Sequence, residues 1–278
     1  MVISGTTRLL GIIGDPVRHS LSPRMQNRAL AAAGLDYVYL PFPVAPARLS
    51  EAVAGFRAVG IHGFNVTVPH KVAIAPLLDR LSPEAEQIGA VNTVHNEHGR
   101  LVGYNTDGVG LVVSLREELG FDPNGAHLLV IGAGGAARAA LHALCAAGAG
   151  RVIIINRTTD RAKELVERYG LLFPSTRLEF RETLPQALPD IDLLLNTTVV
   201  GMDGISLSAD PEALADTAVV YDMIYAPSLT PLLGAAQRRS LRCVNGLGML
   251  AAQGERAFTI WTGLAPPRGL MKATLEEA

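Results

Sequence analysis

Cysteine is scarce in this chain of 278 residues, which has only two, Cys145 and Cys243. They lie far apart, with neither the close spacing of a zinc site nor the number that a disulfide framework needs. The seven histidines are scattered and form no His-Glu-x-x-His motif. We therefore expect neither a resident metal ion nor a fold that depends on disulfides.

A large excess of charge is also absent, because 24 basic and 26 acidic residues leave a formal net charge of −2. Nothing in this balance favours nucleic acid or an anionic membrane as a partner. The first apolar run, Leu9–Ile13, is not preceded by a basic segment as in a signal peptide. The most apolar stretch, residues 128–150, is interrupted by Arg138, His142 and several glycines, which favours a buried strand and helix over a membrane span. We expect a cytoplasmic protein that acts on a small molecule.

A glycine-rich turn lies between an apolar run and an alanine-rich segment. The run Leu128–Ile131 predicts a buried strand, Gly132-Ala133-Gly134-Gly135-Ala136 a tight turn, and the following alanines a helix. Glycine at positions 132 and 134 would let the backbone adopt positive φ and approach a ligand closely. The amides at the start of the helix could then face the pyrophosphate of a dinucleotide. The alternative is a glycine-softened turn without a ligand.

A second apolar run, Val152–Ile155, completes a strand-helix-strand unit and ends in Asn156-Arg157-Thr158, with Arg161 close behind. Sites for NAD usually carry Asp or Glu at this strand tip, to bind the ribose 2′-hydroxyl. A 2′-phosphate is repelled by a carboxylate and bound by a guanidinium. A strand tip with arginine and without a carboxylate therefore predicts NADP as the cofactor. The alternative is that the arginines lie on the solvated face of the next helix, residues 160–169.

Strand and helix signals alternate along the whole chain, which indicates an α/β fold of two lobes. The predicted strands are residues 9–13, 37–41, 63–66, 91–95 and 101–104 in the first lobe, and 128–131, 152–155, 178–180, 191–195, 219–221 and 241–244 in the second. Six parallel strands in the second lobe predict a doubly wound Rossmann sheet.

Two helices near the C-terminus, at residues 249–261 and 269–277, are expected to return to the first lobe. We therefore predict a substrate-binding domain of residues 1–106 plus 246–278 and an NADP-binding domain of residues 107–245. A cleft between two such lobes is where a ligand is expected.

A proton donor is required wherever a hydride reduces a ketone, because negative charge develops on the carbonyl oxygen. Lys71 follows Pro69, which looks like the first position of a helix. An ammonium in a first helical turn opposes the helix dipole at a cost of about 0.3–1 kcal/mol. Such a departure from local preference is typical of a working site. Asp107, a predicted N-cap of the next helix, is the natural partner. The alternative is a solvated lysine and an aspartate that only caps.

Two further places carry polar side chains suited to a small anionic ligand. Ser20 and Ser22 put two hydroxyls just before a helix that Pro23 opens, where they could bind a carboxylate. The alternative role for Ser22 is that of N-cap. Gln253 is a polar residue in an otherwise apolar helical segment, which suggests a contact with ligand.

Taken in order, these residues resemble the shikimate dehydrogenase family over nearly the whole chain. The segments that carry the resemblance are Gly14-Asp15-Pro16, His19-Ser20-Leu21-Ser22-Pro23, Asn65-Val66-Thr67-Val68-Pro69-His70-Lys71, Gly89-Ala90-Val91-Asn92-Thr93, Asn105-Thr106-Asp107-Gly108, Gly132-Ala133-Gly134-Gly135-Ala136, Asn156-Arg157-Thr158, Tyr221-Asp222-Met223 and Gly246-Leu247-Gly248-Met249-Leu250.

The resemblance implies NADPH-dependent reduction of 3-dehydroshikimate to shikimate in aromatic amino-acid biosynthesis. It implies that Lys71 and Asp107 form the acid/base pair and that Ser20 and Ser22 bind the substrate carboxylate. It assigns contacts with the substrate ring or its hydroxyls to Thr67, Asn92, Tyr225 and Gln253. It assigns NADP to Gly132, Ala133, Gly134, Gly135, Ala136, Asn156, Arg157, Thr158 and Arg161, with Met223 and Gly246 near the nicotinamide.

Two alternatives stay open. One is a quinate/shikimate or aminoshikimate dehydrogenase, although the quinate-oxidising relative that accepts NAD has an acidic residue near the second strand tip, which this chain lacks. The other is a non-catalytic, NADP-sensing relative. The segment Asn196-Thr197-Thr198-Val199-Val200 also departs from a more serine-rich version in the family. For the oligomeric state, we expect a monomer or a homodimer.

Overall fold

The computed structural model describes residues 3–183, 188, 190–204 and 210–277. The chain divides into two compact units, which we call unit one (residues 1–110 and 250–278) and unit two (residues 111–249). The divisions fall a few residues beyond the predicted boundaries at 106/107 and 245/246. In the described ranges, no helix is both long enough and apolar enough to cross a membrane.

Most strands and helices lie where the sequence predicts them, and a short strand at residues 80–81 and a helix at residues 231–238 are additional. The strands are β1 (Arg8–Gly14), β2 (Tyr37–Pro43), β3 (Gly63–Val66), β4 (Arg80–Leu81), β5 (Thr93–Glu97), β6 (Arg100–Tyr104), β7 (His127–Ile131), β8 (Arg151–Ile155), β9 (Arg177–Arg181), β10 (Leu193–Asn196), β11 (Val219–Asp222) and β12 (Arg242–Asn245). The helices are α1 (Ser22–Ala32), α2 (Leu49–Ala58), α3 (Pro83–Ile88), α4 (Asp107–Leu119), α5 (Gly135–Ala146), α6 (Thr159–Leu172), α7 (Pro231–Arg238), α8 (Leu247–Thr262) and α9 (Leu270–Glu276). Each predicted strand overlaps an observed one.

Unit one is built on a mixed sheet with the strand order β2-β1-β3-β5-β6-β4. Strands β2, β1 and β3 are parallel, whereas β5 is antiparallel to both β3 and β6. The β5–β6 hairpin turns at His98 and Gly99, which both have positive φ, as a tight hairpin turn requires. The parallel part of this sheet brings the carboxyl ends of β1 and β3 side by side, with Ile13 opposite Val66.

Unit two is built on a six-stranded parallel sheet with the order β12-β11-β10-β7-β8-β9. This is the doubly wound Rossmann order, as predicted. Alternate residues of β7 enter two different cores: Leu128 and Val130 pack with α4, α5 and α6, and Leu129 and Ile131 pack with α7. Burial on both faces explains why these strands read as continuous apolar runs rather than as alternating patterns.

The C-terminal part of α8 belongs to unit one and is held there by Trp261. Its indole Nε1 donates a hydrogen bond of 2.9 Å to the carbonyl oxygen of Val94 in β5. A Cβ placed on Gly63 would overlap the indole ring and would lie 2.8 Å from the same carbonyl oxygen. Only glycine fits at this position without displacing either the ring or the strand.

Replacing Gly63 with alanine therefore tests the packing of α8. We expect Gly63→Ala to reduce the free energy of unfolding by about 1–3 kcal/mol, because the added methyl overpacks a rigid site. The measurement is the urea midpoint followed by circular dichroism.

Gly55 provides the matched control, because it is exposed within α2 and an added Cβ would meet nothing within 4 Å. Gly55→Ala should raise the free energy of unfolding by about 0.5–1 kcal/mol, since alanine loses less entropy in a helix. Equal effects of the two changes would contradict the packing of Trp261 on Gly63.

Candidate active site

Lys71 and Asp107 form an ion pair in unit one. The distance between Lys71 Nζ and Asp107 Oδ2 is 2.5 Å, and only 15% and 5% of their side-chain surfaces are exposed. Asp107 is the first residue of α4 and not its predicted N-cap, whereas Lys71 lies in the turn that follows β3. An ammonium and a carboxylate in contact, largely withdrawn from water, can hold one another and exchange a proton with a third group.

The predicted helix at Pro69 is wrong, so Lys71 does not oppose a helix dipole. The Lys71 carbonyl accepts a hydrogen bond of 2.7 Å from Val91 N, a distant residue, instead of from the amide four residues on. The segment forms only successive turns and one short 3₁₀ helix, Ala75–Leu77. A partner from elsewhere in the fold has overridden the local preference for helix.

Asn92 connects the ion pair with Gln253 in α8. Its Nδ2 donates to Asp107 Oδ1 at 2.8 Å, to Thr106 Oγ1 at 2.9 Å and to Gln253 Oε1 at 3.4 Å. Gln253 in turn donates from Nε2 to the Leu250 carbonyl oxygen at 2.7 Å. The structure therefore brings together four residues that the sequence singled out: Lys71, Asn92, Asp107 and Gln253.

Ser20 and Ser22 adjoin one another, and the Ser22 amide donates to Ser20 Oγ at 3.3 Å. Ser22 is not the N-cap of α1, since the helix begins at Ser22 and Leu21 occupies the cap position without a side-chain bond. The Ser22 hydroxyl is therefore not committed to capping. It lies beside Tyr39. Burial raises the pKa of Tyr39 well above its ordinary value, and a hydrogen bond from Ser22 offsets part of that rise.

Thr67 follows β3 directly, at the carboxyl end of the parallel part of the sheet. Its amide donates to the Ile13 carbonyl oxygen at 2.9 Å, and a Cβ on Gly14 would overlap the Thr67 methyl group. Gly14 thus leaves the space that Thr67 fills. The hydroxyl of Thr67 is held at the strand ends, where ligands of parallel sheets bind.

The glycine-rich turn in unit two joins β7 to α5. Gly132 has a φ of +116°, and an added Cβ would overlap the Thr197 hydroxyl, so glycine is required there. The expectation of positive φ at Gly134 is wrong: its φ is −87° because it is the N-cap of α5, a position with extended backbone. A Cβ on Gly134 would meet nothing within 4 Å, so the backbone there is open to a ligand.

The second strand tip places its polar residues in a short turn before α6. Asn156 Nδ2 donates to the Thr158 carbonyl oxygen at 2.8 Å, which closes the turn. Arg157 and Arg161 are both exposed. Within the described ranges, neither guanidinium forms an ion pair with a carboxylate, so both are available to an anion.

Met223 and Gly246 are brought together at the ends of β11 and β12. The Gly246 amide donates to the Ile224 carbonyl oxygen at 3.1 Å, and a Cβ on Gly246 would overlap the Met223 carbonyl. Tyr225, two residues beyond Met223, is half-buried and belongs to unit two. The other residues expected to bind substrate belong to unit one.

Asp222 organises the loop that carries Met223 and Tyr225. It is fully buried and accepts hydrogen bonds from Asn196 Nδ2 at 2.9 Å, Ile224 N at 3.1 Å and Thr230 Oγ1 at 2.7 Å. Burial raises the pKa of this carboxyl group, and none of these donors is a cation. The neutral donors tie the ends of β10 and β11 together.

Sequence reasoning missed Tyr39, Thr93 and Thr106 as members of the site. Thr106 lies inside the Asn105-Thr106-Asp107 motif, and Thr93 directly follows Asn92, so both were marked by their neighbours. Tyr39 had no such signal, because it sits in an ordinary β-strand pattern. The described residues contain no group of three or more metal-ligating side chains.

Known family models match three parts of the chain. The shikimate dehydrogenase substrate binding domain matches residues 12–94, shikimate / quinate 5-dehydrogenase matches residues 115–201, and the shikimate 5′-dehydrogenase C-terminal domain matches residues 246–276. Together the matches span more than half of the chain.

Individual relatives match over nearly the full length. The shikimate dehydrogenase (NADP(+)) of Geobacter sp. (strain M21) is 55% identical over 99% of this chain and 97% of its own. A crystal structure of shikimate dehydrogenase from Aquifex aeolicus is 39% identical, with a TM-score of 0.91 and 99% of each chain covered. The enzyme from Thermus thermophilus, in complex with NADP(H) and shikimate, is 37% identical with a TM-score of 0.86, covering 97% of this chain and 99% of that one. The resemblance is confirmed: the chain belongs to the shikimate dehydrogenase family.

Proposed function

We propose that this chain is an NADP-dependent shikimate dehydrogenase, which reduces 3-dehydroshikimate to shikimate reversibly in the route to aromatic amino acids. The observation that carries this proposal is the contact between Lys71 Nζ and Asp107 Oδ2 in a largely buried setting. An ammonium held by a carboxylate is the proton donor that ketone reduction requires.

Lys71 gives the proton in the direction of reduction. A hydride forms the new C–H bond at the carbonyl carbon of the substrate, the π electrons of the C=O bond move to the oxygen, and this oxygen takes a proton from Lys71 Nζ. Water then returns a proton to the amine. In the reverse direction the amine accepts the proton of the alcohol. Asp107 holds Nζ in place through the ion pair, and Asn92 fixes the carboxylate through its other oxygen.

The polar groups that we assign to the substrate belong to unit one, and Tyr225 of unit two is assigned by the resemblance alone. We assign the carboxylate of the substrate to the Ser20 and Ser22 hydroxyls, at the start of α1, where a helix N-terminus also favours an anion. The ring and its hydroxyls are assigned to Thr67, Asn92, Gln253 and Tyr225. A substrate with one carboxylate and several hydroxyls matches this set of neutral hydrogen-bonding groups.

The residues of unit two fit NADP. NADPH supplies the hydride when it is bound. The open backbone at Gly134, with Ala133, Gly135 and Ala136 around it, lets the first turn of α5 approach a pyrophosphate. The 2′-phosphate would be held by Asn156, Arg157, Thr158 and Arg161. The strand tip carries no carboxylate, and its two arginines form no ion pair in the described ranges. Met223 and Gly246 would lie near the nicotinamide.

We also propose that the protein acts in the cytoplasm, as a monomer or a homodimer, with no nucleic-acid or membrane partner. Both cysteines, Cys145 and Cys243, are free thiols, which suits a reducing compartment.

The direct test of the function is the absorbance of reduced nicotinamide during incubation with shikimate and NADP. We expect turnover with this pair to exceed turnover with quinate and NAD. A protein that binds NADPH but turns over neither substrate would be the non-catalytic relative, and a preference for NAD or quinate would favour the broader dehydrogenase.

Replacing Lys71 tests its role as proton donor. Lys71→Ala should lower kcat by about a hundred- to ten-thousand-fold, the range of general acid catalysis. The affinity for NADP, measured by titration calorimetry, should not change, because the cofactor is assigned to other residues.

Lys272 in α9 is the matched control, as it is the other lysine of unit one. Lys272→Ala should leave kcat unchanged, and circular dichroism should show that both variants are folded. A large loss of NADP affinity in Lys71→Ala would refute the assigned role.

Replacing Arg157 tests cofactor choice. Arg157→Gln removes a charged hydrogen bond worth about 1.5–3 kcal/mol, so KM for NADP should rise about tenfold or more. The kinetics with NAD should not change, because NAD has no 2′-phosphate. The rise should shrink at high ionic strength.

Arg177 serves as the control for charge alone. It is 73% exposed at the amino end of β9, the end of the sheet opposite the strand tip. Arg177→Gln should leave KM for both cofactors unchanged. If it raised KM for NADP as much as Arg157→Gln does, a specific contact with the 2′-phosphate would be ruled out.

A further inference from the structure

A chain of buried hydrogen bonds runs from Tyr39 towards the acid/base pair. The Tyr39 hydroxyl donates to Asn65 Oδ1 at 2.7 Å. Asn65 Nδ2 donates to Thr93 Oγ1 at 3.0 Å, and Thr93 Oγ1 donates to Asn92 Oδ1 at 3.0 Å. Tyr39, Asn65 and Thr93 lie in three different strands, Asn92 directly precedes Thr93, and Thr93 joins Asn65 to Asn92.

Backbone groups settle the direction of this chain. Asn65 Nδ2 also donates to the Asn92 carbonyl oxygen at 3.0 Å, and Asn92 Oδ1 also accepts from the Thr106 amide at 2.8 Å. A carbonyl can only accept and an amide N–H can only donate, so neither side-chain amide can be turned round. The Thr93 hydroxyl therefore accepts a hydrogen bond from Asn65 Nδ2 and donates one to Asn92 Oδ1.

The chain ends on the catalytic carboxylate, because Asn92 Nδ2 donates to Asp107 Oδ1 at 2.8 Å. Every donor in the series points towards Asp107, and hydrogen bonds aligned in this way polarise and strengthen one another. Thr93 itself is fully buried, so it cannot touch the substrate. Its one other hydroxyl neighbour in the described ranges, Thr106 Oγ1, is at 3.5 Å.

We propose that Thr93 is a positioning residue whose hydroxyl orients the Asn92 amide towards Asp107, and through Asp107 sets Lys71 for proton transfer. This proposal rests on the proposed function. Without the hydroxyl, one Asn65 proton and one lone pair of Asn92 lose their partner in a site that water does not reach. The Asn92 Oδ1 atom then keeps only its donors from Thr106, so the Asn92 amide is less firmly oriented towards Asp107.

Two substitutions at Thr93 separate its hydroxyl from its shape. Thr93→Val keeps the shape and removes the hydroxyl; we expect kcat with shikimate and NADP to fall on the order of ten- to a hundred-fold, the cost of a small misplacement in an active site. The pH profile of kcat should shift as well, because it reports the acid/base pair. Thr93→Ser keeps the hydroxyl and should restore most of kcat and the original profile. KM for NADP should not change in either variant.

Thr274 in α9 is the matched control, since it is also a fully buried threonine of unit one. Its hydroxyl donates to the Leu270 carbonyl oxygen at 2.6 Å, away from the chain of side chains described above. Thr274→Val should leave kcat and its pH profile as they are in the natural sequence.

The proposal is overturned if Thr93→Val retains kcat and the pH profile, or if Thr93→Ser is as impaired as Thr93→Val. Should Thr93→Val fail to fold, Thr93→Ala takes its place in the comparison with Thr93→Ser. Greater activity in the serine variant supports the role of the hydroxyl, and equal activity overturns it.

If the proposed function is wrong, the protein with its natural sequence will show no turnover with shikimate. This result separates that failure from a failure of the role proposed for Thr93. The role of Thr93 is judged in that case by hydrogen exchange of the Asn92 side-chain amide, followed by NMR. The amide should be protected in the natural sequence and in Thr274→Val and should exchange faster in Thr93→Val. Unchanged protection would overturn the proposal.

Discussion

The buried carboxylate of Asp107 imposes the main physical constraint on unit one. A carboxylate withdrawn from water is costly unless a cation and hydrogen-bond donors replace its hydration. Here Lys71 supplies the cation to one oxygen and Asn92 supplies a donor to the other. These partners come from the turn after β3 and from the residue before β5, so a single charge ties three distant segments together. Removing Lys71 would leave the charge of Asp107 uncompensated, and removing Asn92 would leave one carboxylate oxygen without this hydrogen-bond donor.

Unit two contains a buried carboxylate that is treated differently. Asp222 receives neutral donors only, from Asn196, Thr230 and a backbone amide, and burial raises the pKa of its carboxyl group. Asp107 therefore lies beside a group that can move a proton, whereas Asp222 serves to join the ends of two strands. Environment, and not residue type, separates the two roles.

Parallel strands explain why both units collect their polar residues at one edge of a sheet. In unit one, Thr67 lies beside the end of β1, and in unit two the glycine-rich turn lies beside Thr197 at the end of β10. Side chains from remote parts of the sequence meet there because the carboxyl ends of parallel strands coincide. This arrangement agrees with membership of the shikimate dehydrogenase family, because several of the motifs that carry the resemblance lie at the carboxyl ends of strands.

Periodicity, turn chemistry and motif spacing were enough to predict the order and type of nearly all strands, the doubly wound sheet, the positive φ of Gly132 and the pairing of Lys71 with Asp107. All of these signals are local. Four features became visible only in the folded chain: Lys71 sits in a turn, Ser22 does not cap α1, Gly134 is extended, and Tyr39 and Thr93 join the site. The physical reason is the same for Lys71 and for Tyr39 and Thr93. A hydrogen-bond partner far away in sequence, such as Val91 for the carbonyl of Lys71 or Asn65 for the hydroxyl of Thr93, sets a conformation that the neighbouring residues do not encode.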